Sequence, residues 1–221
     1  MTAGSACCRI LLVEDHPLMR HGLNSLLSRH SRFQVCGETD SSPRALELIR
    51  QLSPDLALVD ITLKSANGIE LTKDIRVLSP STQVLVVSMH AENVYAERAL
   101  RAGAMGYLMK DEAAETLVTA IDGILRGEVF VSERIKGRML YRFVHQAGAT
   151  FTSPIDRLSD REMEVLRLIG DGYGTREIAS RLNLSVKTID SYREHLKLKL
   201  ELANGGDLVR YAIQWMKGES T

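Results

Sequence analysis

The sequence predicts an α/β doubly wound, five-stranded parallel sheet followed by a small all-α domain. Three observations carry this reading. Short β-rich runs alternate with amphipathic helical stretches over the first 125 residues. Strand signals then stop at about Gly127. Beyond a segment of small residues around Pro154, all that follows has helical spacing.

The five β runs are RILLV (9–13), FQVCGE (33–38), LALVD (56–60), QVLVVS (83–88) and GYLMK (106–110). Between them lie PLMRHGLNSLLSRH, SPRALELIRQL, GIELTKDIRVL and ENVYAERALRAG, and a fifth helix is expected from Glu112 to Arg126. Strands separated by helices imply a parallel sheet covered on both faces by right-handed crossovers. SERIKGRMLYRFVHQ then places apolar residues at 135, 139, 140, 143 and 144, which is helical spacing. AGATFTSPIDR reads as a linker. The remainder, SDREMEVLRLIGDG, TREIASRLN, SVKTIDSYREHLKLKL and GDLVRYAIQWMKG, is helical throughout, with Ser159, Thr175 and Ser185 as expected N-caps.

Composition narrows the class. With 221 residues the chain suits one large or two ordinary domains, and 44% apolar residues indicate a folded protein. No run of 18 apolar residues exists, so no membrane span is expected, and the opening MTAGSACCRILLVED has too short an apolar run for a secretory leader, with acids following at once. A cytoplasmic protein is the expectation. Cys7, Cys8 and Cys36 are too few for a disulfide framework or a zinc site and read as reduced thiols. The six histidines are scattered without an i, i+4 pair, which argues against a His-based metal site. Net charge is zero, so any nucleic-acid contact must come from local placement of charge.

That local placement is informative. In a doubly wound sheet, ligands bind outside the carboxyl ends of the strands. Four of the five runs end there in residues suited to chemistry: Glu14 and Asp15, Asp60, Ser88 and Lys110. Singly, each has a structural explanation as a cap or a solvated strand end. Together they describe a site. Converging carboxylates repel unless a hard divalent cation joins them, and oxygen ligands favour Mg²⁺. An Asp beside such a cation can attack a phosphoryl group, whose oxygens Lys110 and Ser88 can hold.

This order of motifs, ED, then Asp60 followed by a loop ending in Asn67–Gly68, then Ser88, then GYLMKD, resembles the receiver domain of bacterial two-component response regulators, a flavodoxin-like fold. The resemblance covers roughly residues 8–126. It implies that Asp60 is the phosphoacceptor and that Glu14, Asp15, Asp60 and the backbone carbonyl of Thr62 hold Mg²⁺. Ser88 and Lys110 would respond to the phosphoryl group, and Tyr107 would be the switch aromatic, with a half-buried strand Tyr as the plainer alternative. The family usually has Pro where Lys64 stands, and commonly has Pro after the lysine, where Asp111 stands here.

Residues 157–217 are similar to the LuxR-type helix-turn-helix of NarL/FixJ response regulators, on Leu158, Arg161, Glu162, Val165, Leu166, Gly172, Glu177, Ile178, Ala179, Leu182, Ser185, Lys187, Thr188, Ile189, Lys199 and Leu200. In SVKTIDSYREHLKLKL, Ile189, Tyr192, Leu196 and Leu200 form the core stripe. Asp190, Ser191 and Glu194 then occupy the positions that enter the major groove in that family. Lys187, Thr188, Arg193, Lys197 and Lys199 flank them, the basic ones within reach of phosphates. The acids depart from the usual Lys or Arg. The final helix carries two apolar stripes, Leu208/Ala212/Trp215 and Val209/Ile213/Met216, one a candidate dimer surface.

The expected organisation is therefore a receiver domain at 1–127, a linker with a helix at 128–156 and a DNA-binding domain at 157–221. The resemblance implies a regulator of transcription that is phosphorylated by a sensor histidine kinase and binds double-stranded DNA as a homodimer, with RNA polymerase a further candidate partner. It would not be a turnover enzyme, apart from catalysing its own dephosphorylation. Two other classes compete. A haloacid-dehalogenase-type phosphatase also uses a strand-end Asp, but wants a second Asp where Thr62 stands. A phosphate-independent scaffold would not need the complete set of acids, Ser88 and Lys110.

Overall fold

The computed structural model describes residues 7–63, 66–112, 114–145 and 154–219. They fall into two compact units that divide after Met139. In the first, β1 (Cys8–Val13), β2 (Phe33–Thr39), β3 (Leu56–Val59), β6 (Gln83–Ser88) and β7 (Gly106–Met109) form one sheet. A separate pair, β4 (Thr62–Leu63) and β5 (Ala66–Asn67), is antiparallel. The sheet order is β2-β1-β3-β6-β7 with every pairing parallel, so the doubly wound expectation holds.

Helices α1 (Pro17–Leu27), α2 (Ser42–Leu52), α3 (Gly68–Leu78), α4 (Glu92–Arg101) and α5 (Ala114–Leu125) connect the strands. The central strands are apolar on both faces because helices cover both: Leu11 and Ala57 are as buried as Ile10 and Leu58. One core layer joins Ile10, Leu12, Leu27, Leu56, Leu85 and Ile121, all essentially inaccessible to solvent. Each such side chain stabilises the fold by about 1.5–3 kcal/mol through burial.

β3 ends at Val59, and Asp60 follows with its amide donating to the Val13 carbonyl at 2.9 Å. Beyond β4 and β5 the chain enters α3 through Asn67 and Gly68. The Asn67 side chain caps that helix by accepting from the Ile69 amide at 2.9 Å. Gly68 lies so close to Asp60 that an added Cβ would sit 1.9 Å from the Asp60 carbonyl oxygen. The Asn–Gly pair thus sets the helix start and lets the loop fold back beside Asp60. Lys64 lies outside the described residues.

The segment after α5, read from sequence as part of the linker, continues the fold of the first unit. Phe130 forms a parallel bridge with Gly106, donating to the Met105 carbonyl and accepting from the Tyr107 amide, both at 2.9 Å. Val131 and Ile135 are buried, and α6 (Glu133–His145) begins beside α4, where Glu92 accepts from the Ser132 hydroxyl at 2.8 Å and pairs with Arg134.

The second unit contains a short 3-10 turn (Pro154–Arg157), then α7 (Asp160–Gly170), α8 (Thr175–Arg181), α9 (Val186–Lys199) and α10 (Gly205–Glu219). Ser159 and Ser185 are N-caps as expected. Thr175 is not: Gly174 holds the cap position, with its amide bonded to Glu177. α10 packs on α7, and α9 on both α7 and α8. No helix among the described residues is long and apolar enough to cross a membrane. The three cysteines are free, and burial pushes the Cys8 thiol up to about 12.

These close approaches lead to a prediction. Gly68→Ala should destabilise the first unit by about 2–3 kcal/mol, since the obstructing atom is backbone that cannot step aside. Gly170→Ala should affect only the second, because there the new methyl would meet the Ala212 carbonyl and Met216. Calorimetry that resolves the two units checks this; a Gly68→Ala protein melting with the wild type would refute the tight approach.

Candidate functional site

The carboxyl edge of the sheet gathers the charged residues expected there. Glu14 and Asp15 follow β1, Asp60 follows β3, Ser88 ends β6 and Lys110 follows β7. The parallel register makes this possible: Val13 pairs with Val59, Val59 with Val86 and Ser88 with Met109, so neighbouring strands end level. Lys110 lies between two acids, with Nζ 2.7 Å from Glu14 and 2.9 Å from Asp60. These three side chains are only 3–4% exposed.

The charge balance of this cluster is unfavourable. Two buried carboxylates, with Asp15 beside them, share one lysine. Burial pushes the Asp60 carboxyl up to about 6, reinforced by Glu14 and opposed by Lys110 and by the Thr62 amide that hydrogen-bonds it. Lys110 is raised, because Asp60 and Glu14 outweigh the opposing effect of its burial. One buried oxygen, Asp15 Oδ1, has no hydrogen-bond donor. A cluster of hard oxygen donors with excess negative charge and an unsatisfied buried oxygen fits a divalent cation of the Mg²⁺ kind. One donor atom each from Glu14, Asp15, His16 and Asp60 lie within 4.8 Å of one another.

Two histidines at this edge were not singled out in the sequence. His16 directs Nδ1 at Asp15 (2.9 Å) and Glu14 (3.3 Å). His90, just beyond Ser88, bonds Thr62 Oγ1 through Nε2 at 2.8 Å and stacks on Tyr95. Thr62 therefore stands where a phosphatase of the competing class needs an acid, and its hydroxyl is engaged. The His90 amide donates to Ser88 Oγ at 3.2 Å, and its carbonyl accepts from the Tyr107 hydroxyl at 2.6 Å. Tyr107 is turned inward and 2% exposed, and burial pushes its phenol well above the usual range. Arg20 closes the other side, donating to the Glu14 carbonyl at 2.6 Å.

In the second unit, α9 buries Ile189, Leu196 and Leu200, with Tyr192 half-buried. Lys187, Asp190, Ser191 and Glu194 are exposed, and Thr188, Arg193 and Lys197 are partly so. Two pairings qualify the expected charge layout. Glu194 holds Lys197 at 2.9 Å, joining an acid of the exposed face to a flanking base. Lys199 turns instead to buried Glu162, at 2.7 Å, where with Ser159 it holds that carboxyl below its usual range against the effect of burial. On α10, Leu208 and Ala212 are fully buried and Ile213 is exposed, but Met216 packs against Gly170. The second apolar stripe is thus only partly free.

Comparison with known proteins follows this division. Residues 10–122 match the response regulator receiver domain, and residues 156–212 match the LuxR family of bacterial regulatory proteins. The oxygen regulatory protein NreC of Staphylococcus aureus is 32% identical over 210 residues, covering 93% of this chain and 97% of that protein. Among solved structures, RcsB of Salmonella typhimurium aligns with a TM-score of 0.67 at 26% identity, over 95% of this chain and 98% of that one. RcsB from Salmonella enterica serovar Typhimurium bound to the rprA promoter in the presence of the phosphomimetic BeF₃⁻ aligns with a TM-score of 0.62 at 26% identity, over 93% of this chain and 98% of that one. A LuxR-family response regulator from Aurantimonas shares 34% identity with a TM-score of 0.58, covering 63% of this chain and all of its own.

The raised Asp60 carboxyl sets a pH dependence. Its folded value of about 6 lies above the ordinary 3.8, so the protonated form is favoured by folding. That contribution is complete below the ordinary value and is lost as pH rises through about 6. Without divalent cations, Asp60→Asn should therefore stabilise the first unit at pH 7.5, by roughly 2–3 kcal/mol. The gain should shrink as pH falls toward 4.5, and melting curves of both proteins across that range test it. A gain independent of pH would mean that the Asp60 charge is not its source.

Proposed function

The chain belongs to the response regulators that join a receiver domain to a LuxR-type helix-turn-helix, and we propose that it takes a phosphoryl group on Asp60 from a sensor histidine kinase to control its binding to DNA. The family consists of DNA-binding regulators of transcription rather than of turnover enzymes, and a receiver domain implies a kinase partner. The reading rests on one observation above others. Lys110 is held between Glu14 and Asp60 in a buried pocket at the carboxyl edge of the sheet.

An Asp60 oxygen attacks phosphorus while the bond to the donor's histidine nitrogen breaks. The new bond adds charge beside Glu14 and Asp15. Glu14, Asp15, Asp60 and the Thr62 carbonyl would hold Mg²⁺, which supplies positive charge to the phosphoryl oxygens. Lys110 exchanges its Asp60 partner for one of those oxygens, and Ser88 donates its hydroxyl to another. Reorientation of Ser88 removes the reason for His90 and Tyr107 to keep their present bonds, and so passes the event toward α4 and β7. The same residues, with water as the attacking group, return Asp60 to its free state. The receiver is taken as residues 1–127 and the DNA-binding domain as 157–221, with 128–156 between; Phe130 bridges to Gly106 and Val131 is buried, so the start of that middle segment belongs to the fold of the first unit.

In the second domain α9 is the recognition helix. Asp190, Ser191 and Glu194 face base edges, and Lys187, Thr188, Arg193 and Lys197 face the backbone. A single helix-turn-helix reads one half-site, so two copies act together on two half-sites; the exposed Ile213 is the anchor of that contact. RNA polymerase would be met at the promoter, and the cytoplasm is the setting.

Two experiments test these assignments. Incubation with acetyl phosphate and Mg²⁺ should add one phosphoryl group by intact mass, and both Asp60→Asn and EDTA should abolish it; labelling that survives in Asp60→Asn sinks the assignment. On DNA, Lys187→Ala should weaken all sequences alike and lower the salt slope by about one. Glu194→Ala should instead raise affinity for random sequence and free Lys197 for phosphate. Equal losses on every sequence from Glu194→Ala would remove it from readout.

A further inference from the structure

We infer that Asp190 and Glu194 read cytosine amino groups, so that each half-site carries two C·G pairs about two base steps apart. This rests on the reading of α9 as the recognition helix and names the bases that the helix selects. The face of α9 that packing leaves outward is poor in hydrogen-bond donors. Ile189, Leu196 and Leu200 are buried on the opposite side, and the exposed line runs Lys187, Asp190, Ser191, Glu194. Asp190 has no hydrogen-bond or ion-pair partner among the described residues. Glu194 gives Oε2 to Lys197 at 2.9 Å, which leaves its second carboxylate oxygen open. The Ser191 hydroxyl donates its proton to the Lys187 carbonyl at 3.1 Å, so outward it offers only lone pairs. His195, on the flank of this line, directs Nδ1 toward Glu162, 3.7 Å away. Lys187, at the start of the line, is its one cationic donor.

A line of acceptors selects among base edges in a definite way. In the major groove only adenine N6 and cytosine N4 donate, while guanine N7 and O6 and thymine O4 accept and repel a carboxylate. The adenine amino group lies between two acceptors, its own N7 and the O4 of the paired thymine. The cytosine amino group has such a neighbour on one side only, where the paired guanine O6 stands. A carboxylate, which has no proton to give to N7, therefore gains most on cytosine. Every other base is costly, since an acid in the groove without a donor has only the repulsion of the phosphates. The spacing follows from the helix. Asp190 and Glu194 are one turn apart on α9. That is about 6 Å along the axis, close to two base-pair steps of about 3.4 Å. An amide in place of either acid adds a donor, and so matches the N6 and N7 of adenine instead.

The test selects binding sites from a random duplex library with the full chain, in the presence of acetyl phosphate and Mg²⁺. Wild-type selections should converge on half-sites with two C·G pairs at that spacing. Asp190→Asn and Glu194→Gln, isosteric changes at exposed positions, should each exchange one of those cytosines for adenine and keep the other. A second measurement leaves the wild-type protein intact and replaces one selected cytosine by 2-pyrimidinone, which lacks the amino group. Wild-type affinity should then fall about tenfold, and that of the Ala variant of the acid facing that base by less than about twofold. Converged sites that neither amide variant alters would overturn the cytosine assignment and leave α9 as the recognition helix, its acids serving only against random sequence. Equal wild-type affinity for the cytosine and 2-pyrimidinone duplexes would do the same. A selection that enriches no sequence would overturn both readings.

Discussion

Excess negative charge at the carboxyl edge of the sheet is the constraint on which the rest of this structure depends. Hydrophobic strands carry Glu14 and Asp60 out of water, and Asp15 stands next to them. A single lysine cannot neutralise three carboxylates, and burial, with Glu14 adding to it, pushes the Asp60 carboxyl up to about 6. Such an arrangement costs stability in isolation and tends to persist where chemistry uses it. Its neighbours are arranged around it: the Asn67–Gly68 approach, the Arg20 contact to the Glu14 carbonyl and the two histidines that close the rim.

The path outward from that charge is short and made of hydrogen bonds. Ser88 Oγ meets the His90 amide, the His90 carbonyl meets the Tyr107 hydroxyl, and the Tyr107 amide meets the Phe130 carbonyl. Next to this chain, Glu92 at the start of α4 holds Ser132 and Arg134. A change in where the Ser88 hydroxyl points therefore has neighbours able to respond as far as the start of α6. Coupling of this kind needs an element with two arrangements; in this structure the Tyr107 ring is buried and its hydroxyl donates to the His90 carbonyl.

Much of this was legible in the sequence, for a physical reason. Strands buried on both faces are apolar throughout, so the polar residues that end them, Asp60, Ser88 and Lys110, stand out, and a parallel sheet collects such ends on one edge. Groups acting across loops left no such trace. Thr62 and His90 meet over 28 residues, and Lys199 finds Glu162 over 37. His16 looked like one scattered histidine because its partners are carboxylates rather than another histidine at helical spacing. Phe130 joins the sheet through a single bridge, too short to show alternation, and the N-cap at Gly174 was missed because Glu177, not a Ser or Thr hydroxyl, satisfies it.

The Phe130 bridge also governs how this protein can associate. A sheet edge with free amides and carbonyls invites another strand, and β7 would be one of two such edges. Phe130 takes the Met105 carbonyl and the Tyr107 amide for itself. An incoming strand would find the β7 rim already occupied at its start. The far edge, β2, carries no such bridge among the described residues, so the two edges of the sheet are unequal templates for another strand.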